Sequence, residues 1–381
     1  MSYMTDERRM IQEAAREFTL KEVLPVANRL DPVEGEIPMA LREKLAEMGY
    51  FGILIPEEYG GLGLGCFEYC LITEELARGW MSVASLIARG NSLIGMEKMS
   101  DEQRRAYVPK IARGEILGAF AMSEPGAGSD IANISCRARR DGDSYVITGN
   151  KYWCTFADGA DFLIVIARTG EGKRRHEGLS AFMIPKKRGE LPEGVQGSPI
   201  PKIGYFGWKT WELAFDGCRV PADWMIGEEG KGFYLATHGL EKARAHTAAR
   251  AIGLARGALE DSIAYAGGRV QFGEPISQFQ AIRFKIATMA TEIEAARQLM
   301  YHVCTEIDSG RRCDLEASMV KLFASEMAER VTSEGIQIHG GAGYTKLHAV
   351  ERYWRDARLT KIFEGTSEIQ QRVISDRILG R

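Results

Sequence analysis

One short stretch near the end of the chain combines a carboxylate with the backbone features of a ligand site. Ile362–Gln370 reads Ile-Phe-Glu-Gly-Thr-Ser-Glu-Ile-Gln, so Glu364 directly precedes Gly365 and two small hydroxyl residues. This order is typical of a tight turn that begins a helix, and the first amides of a helix can face an anion or a polarised oxygen. Glu364 is therefore either a positioned base or an exposed capping residue, and taken alone the stretch favours capping.

Two segments in the first half of the chain have the residue types of a ligand-binding loop. Ser123–Asp130 reads Ser-Glu-Pro-Gly-Ala-Gly-Ser-Asp, in which small residues permit close approach and hydroxyls and turn amides offer hydrogen bonds. Lys151–Thr155 places Trp153 two residues before a hydroxyl, which suits a flat aromatic ligand. The alternatives are an ordinary loop at a domain junction and a core tryptophan.

Polar segments in the second half have the chemistry to bind phosphate or a purine. Glu241-Lys-Ala-Arg244 offers a guanidinium to a phosphate or carboxylate, although a solvated charged helix face is the alternative. Arg269–Gly273 with Gln280, and later Gln337–Gly343, place a basic group and amides beside glycine turns. These groups suit a pyrophosphate and an adenine edge, but each signal is weak alone.

The composition excludes several classes of protein. The chain has 381 residues and a net charge of −3, which argues against a nucleic-acid binder or a polybasic membrane protein. No apolar run approaches the length of a membrane span, and the first residues lack a signal-peptide core, which favours the cytoplasm. The seven cysteines are scattered without a Cys-x-x-Cys pair, so we expect reduced thiols and no metal site.

The spacing of apolar residues divides the chain into three parts. Helical spacing covers 1–117, short β-type runs separated by Gly and Pro fill 118–222, and helical spacing returns in 223–381. The β-type runs are Tyr145–Thr148, Phe162–Ile166, Ala181–Ile184 and Trp211–Phe215, with a hairpin signal at Asp141-Gly142. The long helical runs are 231–266, 278–308 and 313–338.

These elements predict an α+β protein. The strands do not alternate with long helices, so a parallel dinucleotide-binding sheet is disfavoured. We expect an N-terminal α-helical domain, then a small antiparallel barrel or sandwich, then a C-terminal helix bundle.

Together, in this order and at these separations, the segments resemble the acyl-CoA dehydrogenase family over essentially the whole chain. The most specific motifs are Ser-Glu-Pro-Gly-Ala-Gly-Ser-Asp at 123–130 and Phe-Glu-Gly-Thr-Ser-Glu-Ile-Gln at 363–370. The resemblance implies an N-terminal α-helical domain, a middle antiparallel β-barrel and a C-terminal four-helix bundle. It also implies non-covalent FAD, an acyl-CoA substrate, electron-transferring flavoprotein as acceptor, and a homotetramer built as a dimer of dimers.

The resemblance assigns roles position by position. The family's base falls on Glu364, and the alternative base position used by some members falls on Ala243, which cannot take a proton. The implied FAD contacts are Phe120, Met122, Ser123, Ser129, Trp153, Thr155, Arg269, Gln271, Phe272, Gln280, Gln337, Gly341, Thr366 and Glu368. The implied substrate contacts are Ser129, Glu241 and Arg244 for the CoA part and Gly365 beside the base. In the family, the contacts at 269–280 cross a subunit interface.

Three positions depart from the family's usual pattern. Phe363 and Phe120 stand where tyrosine is common, so each removes a hydroxyl while keeping an aromatic ring. Glu368 stands where a neutral glutamine also occurs, which weakens the case for its cofactor contact.

The implied reaction is α,β-dehydrogenation of an acyl-CoA thioester. Glu364 would remove an α-proton while a hydride leaves the β-carbon for flavin N5. A thioester α-proton is too weakly acidic for a bare carboxylate, so donors must stabilise enolate-like charge on the thioester oxygen. The resemblance assigns this to the Glu364 backbone amide and a flavin ribityl hydroxyl.

The acyl group is less defined, and Arg89 is the one clue to it. Arg89 stands at the end of an otherwise apolar helical run, in Leu-Ile-Ala-Arg-Gly-Asn. One hypothesis is that Arg89 pairs with a distal carboxylate, which makes the substrate a glutaryl-, methylsuccinyl- or benzylsuccinyl-type CoA rather than a plain short- or medium-chain acyl-CoA. The alternative is an exposed arginine that complements the helix dipole beside Gly90.

Other functions of the same fold stay open. An acyl-CoA oxidase that uses O₂ and a non-catalytic member with a vestigial flavin fold are both compatible with the sequence. The sulfinate-removing relatives lack the base, so Glu364 argues against that chemistry.

Overall fold

The N-terminal part of the chain is helical. A computed structural model describes residues 3–91, 96–237 and 239–380. The first helices are α1 Asp6–Phe18, α2 Leu24–Leu30, α3 Met39–Glu47, α4 Cys66–Gly79, α5 Met81–Leu86, α6 Ala88–Asn91 and α7 Asp101–Ala112. Among them α4 is buried along almost its whole length, so it is a core helix rather than a surface helix.

A mixed, mainly antiparallel sheet follows. Its strands are β1 Gly118–Ala121, β2 Arg137–Asp141, β3 Ser144–Thr155, β4 Phe162–Arg168, β5 Leu179–Pro185, β6 Val195–Pro199, β7 Thr210–Pro221 and β8 Met225–Ile226. All four predicted β-type runs lie within strands, and the hairpin between β2 and β3 turns through Gly142 at φ 63°. The strand order is β6-β7-β3-β2-β4-β5-β8, with β1 added beside β4.

Two pairings in this sheet are parallel, which the expectation of an antiparallel middle domain did not include. β1 runs parallel to β4, with Phe120 opposite Ile164, and β2 meets β4 in parallel at Arg137 and Arg168. Between β1 and β4 the chain passes through the long connection 122–136 and the β2–β3 hairpin. This path is long enough for β4 to run in the same direction as β1, as a parallel pairing requires. The connection 122–136 contains the Ser123–Asp130 loop.

The C-terminal part is a helix bundle. Its helices are α8 Gly232–Thr237, α9 Leu240–Gly268, α10 Gln280–Asp308, α11 Asp314–His339, α12 Val350–Thr360 and α13 Ser367–Ile378, with a two-stranded hairpin of β9 Val270–Gln271 and β10 Glu274–Pro275 between α9 and α10. The last two predicted long runs match α10 and α11 closely. The first covers α8 and α9, and its residue 238 lies outside the described part of the chain. The α+β order of helices, sheet and bundle is thus confirmed.

The two helical parts share one hydrophobic core. Leu71 of α4, Ile252 of α9, Ile293 of α10 and Val320 of α11 belong to the same buried cluster, whereas the sheet packs around a second cluster. In the part of the chain that the structure describes, every helix is too short or too polar to cross a lipid bilayer. The candidate site lies where elements of the two cores meet.

Buried charges tie α4 to the bundle. Glu74 is fully buried and pairs with Arg297 at 2.9 Å, and the adjacent Glu75 accepts a hydrogen bond from Arg256 at 2.6 Å. Burial would raise the pKa of Glu74, but Arg297 and Arg256 hold it below its usual value. The paired charges fix the lengthwise position of α4 against α9 and α10, because a slip would leave a buried charge without a partner.

Candidate active site

Glu364 lies at the tip of a strained turn between α12 and α13. Its backbone is left-handed, with φ 53°, and Gly365 follows at φ 91°. Lys321 of α11 donates to the Gly365 carbonyl at 2.6 Å, and the Gln370 side chain donates to the same oxygen at 3.0 Å. A non-glycine residue held at positive φ is a recurrent mark of functional sites.

The capping interpretation of Glu364 does not fit this geometry. Thr366 is the N-cap of α13, because its hydroxyl accepts a hydrogen bond from the Ile369 amide at 3.3 Å. The Glu364 side chain instead points at α9, where both of its oxygens find partners. Thr247 donates to Oε2 at 2.8 Å, and Arg250 donates to Oε1 at 2.6 Å.

Arg250 is the residue that sequence reasoning missed. Its side chain is 2% exposed, compared with 34% for Glu364, and its second terminal nitrogen donates to Ser85 at 2.9 Å. The guanidinium also lies 4.5 Å from the Phe363 ring centroid. Burial would lower the pKa of Arg250, but attraction to Glu364 and Tyr205 raises it, so the guanidinium stays charged. The sequence did contain one indication of its role. Thr247 and Arg250 are three residues apart in α9 and so share a helix face, among residues that are mostly small and apolar.

A second guanidinium, that of Arg89, lies near the same site. Arg89 is half-buried, its carbon Cζ is 5.1 Å from the Trp208 ring centroid, and its buried Nε has no hydrogen-bond partner. Among residues 3–91, 96–237 and 239–380, no carboxylate pairs with it. The interpretation of Arg89 as an exposed arginine at a helix end therefore does not fit.

Tyr205 and His246 lie near both arginines. Both guanidiniums act electrostatically on Tyr205 and on His246. Burial and the two cations lower the pKa of His246 well below its usual value, so this histidine is neutral. Tyr205 sits at φ 59° and packs edge-on against Phe363 at 6.0 Å and Trp208 at 5.2 Å. The result is a wall of packed aromatic rings beside Glu364.

The Ser123–Asp130 loop is held against β3 by a buried ion pair. Lys151 is fully buried and donates to Glu124 at 2.8 Å and to the Met122 carbonyl at 2.9 Å. The Tyr152 amide donates to the Ser123 carbonyl at 2.7 Å. These contacts leave Met122 and Ser123 half-buried and place the 56% exposed Trp153 ring beside the loop.

Comparisons with known proteins place this geometry in a family. Models of the acyl-CoA dehydrogenase N-terminal, middle and C-terminal domains match residues 5–115, 119–218 and 230–379 in turn. A (2S)-methylsuccinyl-CoA dehydrogenase of Cereibacter sphaeroides is 42% identical over 388 residues, covering 99% of this chain and 70% of that protein. The chain belongs to the acyl-CoA dehydrogenase family.

Chains in solved structures have the same fold as this protein. A chain in a structure of the electron transferring flavoprotein of Acidaminococcus fermentans superposes with a TM-score of 0.94 at 37% identity, with all of both chains covered. A glutaryl-coenzyme A dehydrogenase in complex with glutaryl-CoA superposes with a TM-score of 0.92 at 34% identity, covering 99% of this chain and 96% of that one. The protein is accordingly an acyl-CoA dehydrogenase, an FAD-dependent oxidoreductase.

The residues around the Ser123–Asp130 loop fit a bound FAD. A side chain at Gly126 or Gly128 would meet no heavy atom within 4 Å, so the loop faces open space. Thr155 bonds Thr210 at 3.1 Å, which holds the strand beside Trp153, itself at φ 63°. An exposed ring, hydroxyls and open loop amides are what a flat, polar-edged ring system needs. Half-buried Phe120 and exposed Ser129 border the same loop, and half-buried Thr366 and exposed Glu368 follow Gly365.

The remaining cofactor positions lie on the surface. Arg269, Gln271, Phe272 and Gln280 lie on or beside the exposed β9–β10 hairpin, and Gln337 and Gly341 are exposed at the end of α11. The Phe272 ring is 97% exposed at φ 51°, an unusual state for a large apolar side chain in a lone protomer. This exposure agrees with the expectation that these residues work across a subunit interface.

Two of the three residues expected to bind CoA, Glu241 and Arg244, lie at the junction of α9 and α11, whereas Ser129 lies in the loop after β1. Glu241 accepts a hydrogen bond from the Cys313 amide at 3.1 Å. Arg244 donates to Ser318 at 3.0 Å, while its buried Nε has no partner. Part of the Arg244 donor capacity is thus unused within the protomer.

Gly365 offers a test of the turn that presents Glu364. A side chain at Gly365 would lie 2.5 Å from the Gln370 amide nitrogen, at a φ that L-residues rarely adopt. We expect Gly365→Ala to lower the free energy of unfolding by about 1–3 kcal/mol through backbone strain. Gly267→Ala is the control, because that glycine of α9 has open space around it and no positive φ. Equal stability of the two variants in urea unfolding would show that the turn is unstrained.

Two cysteines of α4 meet a third, distant in sequence, at the contact of α4 and α10. The thiols of Cys66, Cys70 and Cys304 are fully buried, and Cys66 lies 4.0 Å from each of the other two sulfur atoms. Cysteines that are scattered in the sequence are thus neighbours in the fold. All seven cysteines are free, and the absence of a metal site stays a prediction.

Proposed function

We propose that Glu364 is the base that removes the α-proton of an acyl-CoA thioester. The observation that carries this proposal is the strained turn, which presents the Glu364 carboxylate beside the aromatic wall of Tyr205, Phe363 and Trp208. An acyl chain can lie against such a wall with its α-carbon near the carboxylate. The matching position in α9, Ala243, carries no group that can accept a proton.

The Glu364 backbone amide is a suitable donor for the thioester oxygen. Within the described part of the chain, this N–H has no acceptor, whereas the preceding amide of Phe363 donates to Leu359 at 3.1 Å. A preorganised donor aimed at developing negative charge lowers the barrier without reorganisation during the reaction. One residue thus supplies both the proton acceptor and a donor for the enolate-like oxygen. When bound, FAD supplies the acceptor for the hydride that leaves the β-carbon.

A carboxylated acyl group fits the charges of the site better than a plain one. Arg89 has a buried Nε and no carboxylate partner among the described residues, so it is free to pair with an anion on the substrate. Two relatives support this choice, one named for (2S)-methylsuccinyl-CoA and one solved with glutaryl-CoA. We therefore favour a glutaryl-, methylsuccinyl- or benzylsuccinyl-type CoA over a plain short- or medium-chain acyl-CoA.

Substitution of Arg89 tests the substrate class. We expect Arg89→Ala to lower kcat/KM for glutaryl-CoA or methylsuccinyl-CoA by about 10- to 100-fold, the effect of losing a charged hydrogen bond. Turnover of butyryl-CoA should change little, because that substrate has no distal carboxylate. Arg105→Ala, an exposed arginine of α7, is the matched control. The dicarboxylate proposal is wrong if the enzyme turns over butyryl-CoA at least as fast as glutaryl-CoA and Arg89→Ala leaves the butyryl-CoA rate unchanged.

The electron acceptor and the assembly are part of the same proposal. An electron-transferring flavoprotein as acceptor is supported by the similarity to a chain in a structure of such a flavoprotein. A homotetramer, as a dimer of dimers, is supported by the exposed Phe272 and the solvent-facing polar groups of its hairpin. Domain boundaries at 117/118 and 222/223 and a cytoplasmic location stay predictions.

A further inference from the structure

The base of the proposed reaction is bound to an arginine when no substrate is present. Arg250 and Thr247 together occupy both oxygens of Glu364. A carboxylate that accepts a short charged hydrogen bond is held in place and is not free to approach an α-carbon. The enzyme must therefore either react while the Arg250–Glu364 hydrogen bond is intact or break that bond during each turnover.

The site has more cationic side chains than its own carboxylate can neutralise. Arg250 is buried and Arg89 is half-buried, yet Glu364 is the one carboxylate that pairs with either of them within the described residues. The nearby His246 is neutral, and Lys321 donates to the Gly365 carbonyl rather than to a carboxylate. Buried cations are stable when paired, so the site can take up a further anion.

The two guanidiniums converge on one place. Arg250 donates to Ser85, which lies four residues before Arg89 in the α5–α6 segment. The Arg89 guanidinium packs on the Trp208 ring and the Arg250 guanidinium packs on the Phe363 ring. Both rings pack edge-on against Tyr205, so a group bound beside Tyr205 lies near both arginines. Arg250 contacts the carboxylate that must reach the α-carbon. An anion that Arg250 binds therefore belongs near the α-carbon, as the second carboxylate of a short dicarboxylyl chain is.

We propose that Arg250 is a positioning residue that exchanges Glu364 for the distal carboxylate of the substrate, so that the base is released only when a carboxylated acyl group is bound. This inference rests on the proposed function and adds a mechanism of selection to it. Among the described residues Arg89 is unpaired in the free site, and it pairs with the distal carboxylate once the substrate binds, whereas Arg250 changes its partner from Glu364 to that carboxylate. Selectivity then arises in the chemical step as well as in binding, because a neutral acyl chain leaves Glu364 bound to Arg250.

A binding competition tests the exchange without turnover. The probes are the thioethers S-(4-carboxybutyl)-CoA and S-pentyl-CoA, which lack the acidic α-proton and differ in the distal carboxylate. In the holoenzyme, Glu364→Gln removes the internal competitor, so we expect the carboxylated probe to bind about tenfold tighter or more and the neutral probe to change less than about threefold. When Arg250 is already replaced by glutamine, the further substitution Glu364→Gln should not increase the affinity for the carboxylated probe. Calorimetry measures the affinities. If Glu364→Gln leaves the affinity of the carboxylated probe unchanged, the inference is overturned. This test does not require a substitution of the buried Arg250.

The rate of flavin reduction gives a second readout that a structural role would not produce. We expect Arg250→Gln to slow reduction by glutaryl-CoA and to speed reduction by pentanoyl-CoA, because the base is no longer held. If Arg250→Gln slows flavin reduction by the same factor with both substrates, the inference is overturned, but the proposed function still stands. If the wild-type enzyme reduces no faster with glutaryl-CoA than with pentanoyl-CoA, the dicarboxylate proposal fails first and the inference falls with it.

Discussion

We expect flavin reduction by acyl-CoA to fall by about 10²- to 10⁴-fold when Glu364 is replaced by glutamine, the usual effect of removing a positioned proton acceptor. Glutamine keeps the size and shape of the side chain, and both partners can still bind it, because its oxygen can accept from Arg250 while its NH2 group donates to the Thr247 hydroxyl. Glutamine cannot accept the α-proton. Because the turn is set by Gly365 and its two donors, the variant keeps the site geometry and loses the chemistry.

Anaerobic stopped-flow bleaching of the flavin measures this loss directly. Glu43→Gln, an exposed glutamate of α3, is the control that should bleach at the wild-type rate. The UV–visible spectrum of the oxidised variant should match that of the wild type, which shows that FAD is still bound. Bleaching of Glu364→Gln at the wild-type rate would place the base on another residue.

Replacement of Lys151 by methionine should give the largest loss of stability among the predictions. Lys151 is 0% exposed and Glu124 is 5% exposed, so the variant leaves a buried carboxylate without its cation. Burial raises the pKa of Glu124, but Lys151 and hydrogen bonds from Ser135 hold it below its usual value, so Glu124 is ionised in the native protein. Breaking a buried pair by removing one partner costs about 3–5 kcal/mol.

Equilibrium urea unfolding of the FAD-loaded protein, followed by tryptophan fluorescence, measures that cost. The matched control is Arg219→Ala, which breaks an ion pair between β7 and Asp141 of β2 whose side chains are 57% and 60% exposed. We expect the control to cost about 1 kcal/mol or less, because solvent screens an exposed pair. We also expect Lys151→Met to bind FAD more weakly, since Lys151 holds the Met122 carbonyl. A loss no larger than that of the control would show that the loop does not depend on the buried pair.

The fold was largely predictable from sequence because its signals are local. The spacing of apolar residues and the length of each apolar segment identified α10, α11 and the four main strands. The Asp141-Gly142 pair indicated the β2–β3 hairpin. The parallel pairing of β1 with β4 was not predictable in this way, since it depends on how a long excursion returns to the sheet. Likewise, Cys66 and Cys304 are brought together by packing of α4 on α10, which their spacing of 238 residues does not indicate.

The site was predictable where motifs are contiguous and was missed where distant residues converge. Glu364, Gly365 and Thr366 follow one another in a turn, so their relation could be inferred from the sequence. Arg250 gave no comparable signal, because its importance comes from pairing with a residue 114 positions away. Tyr205 lies in a connecting loop and gains its place from left-handed backbone and from Asp356, which accepts a hydrogen bond from its amide at 2.6 Å. Such long-range pairings are decided by tertiary packing, not by local pattern.

An anaerobic titration of the yellow wild-type holoenzyme with an acyl-CoA panel tests the central claim most directly. The panel contains butyryl-, pentanoyl-, glutaryl- and methylsuccinyl-CoA, and the readouts are flavin absorbance and the acyl-CoA product. We predict that glutaryl- or methylsuccinyl-CoA bleaches the flavin and yields its 2-enoyl-CoA in the amount of the flavin reduced. A flavin that stays oxidised with every member of the panel would contradict the assignment of Glu364 as the base of an acyl-CoA dehydrogenation.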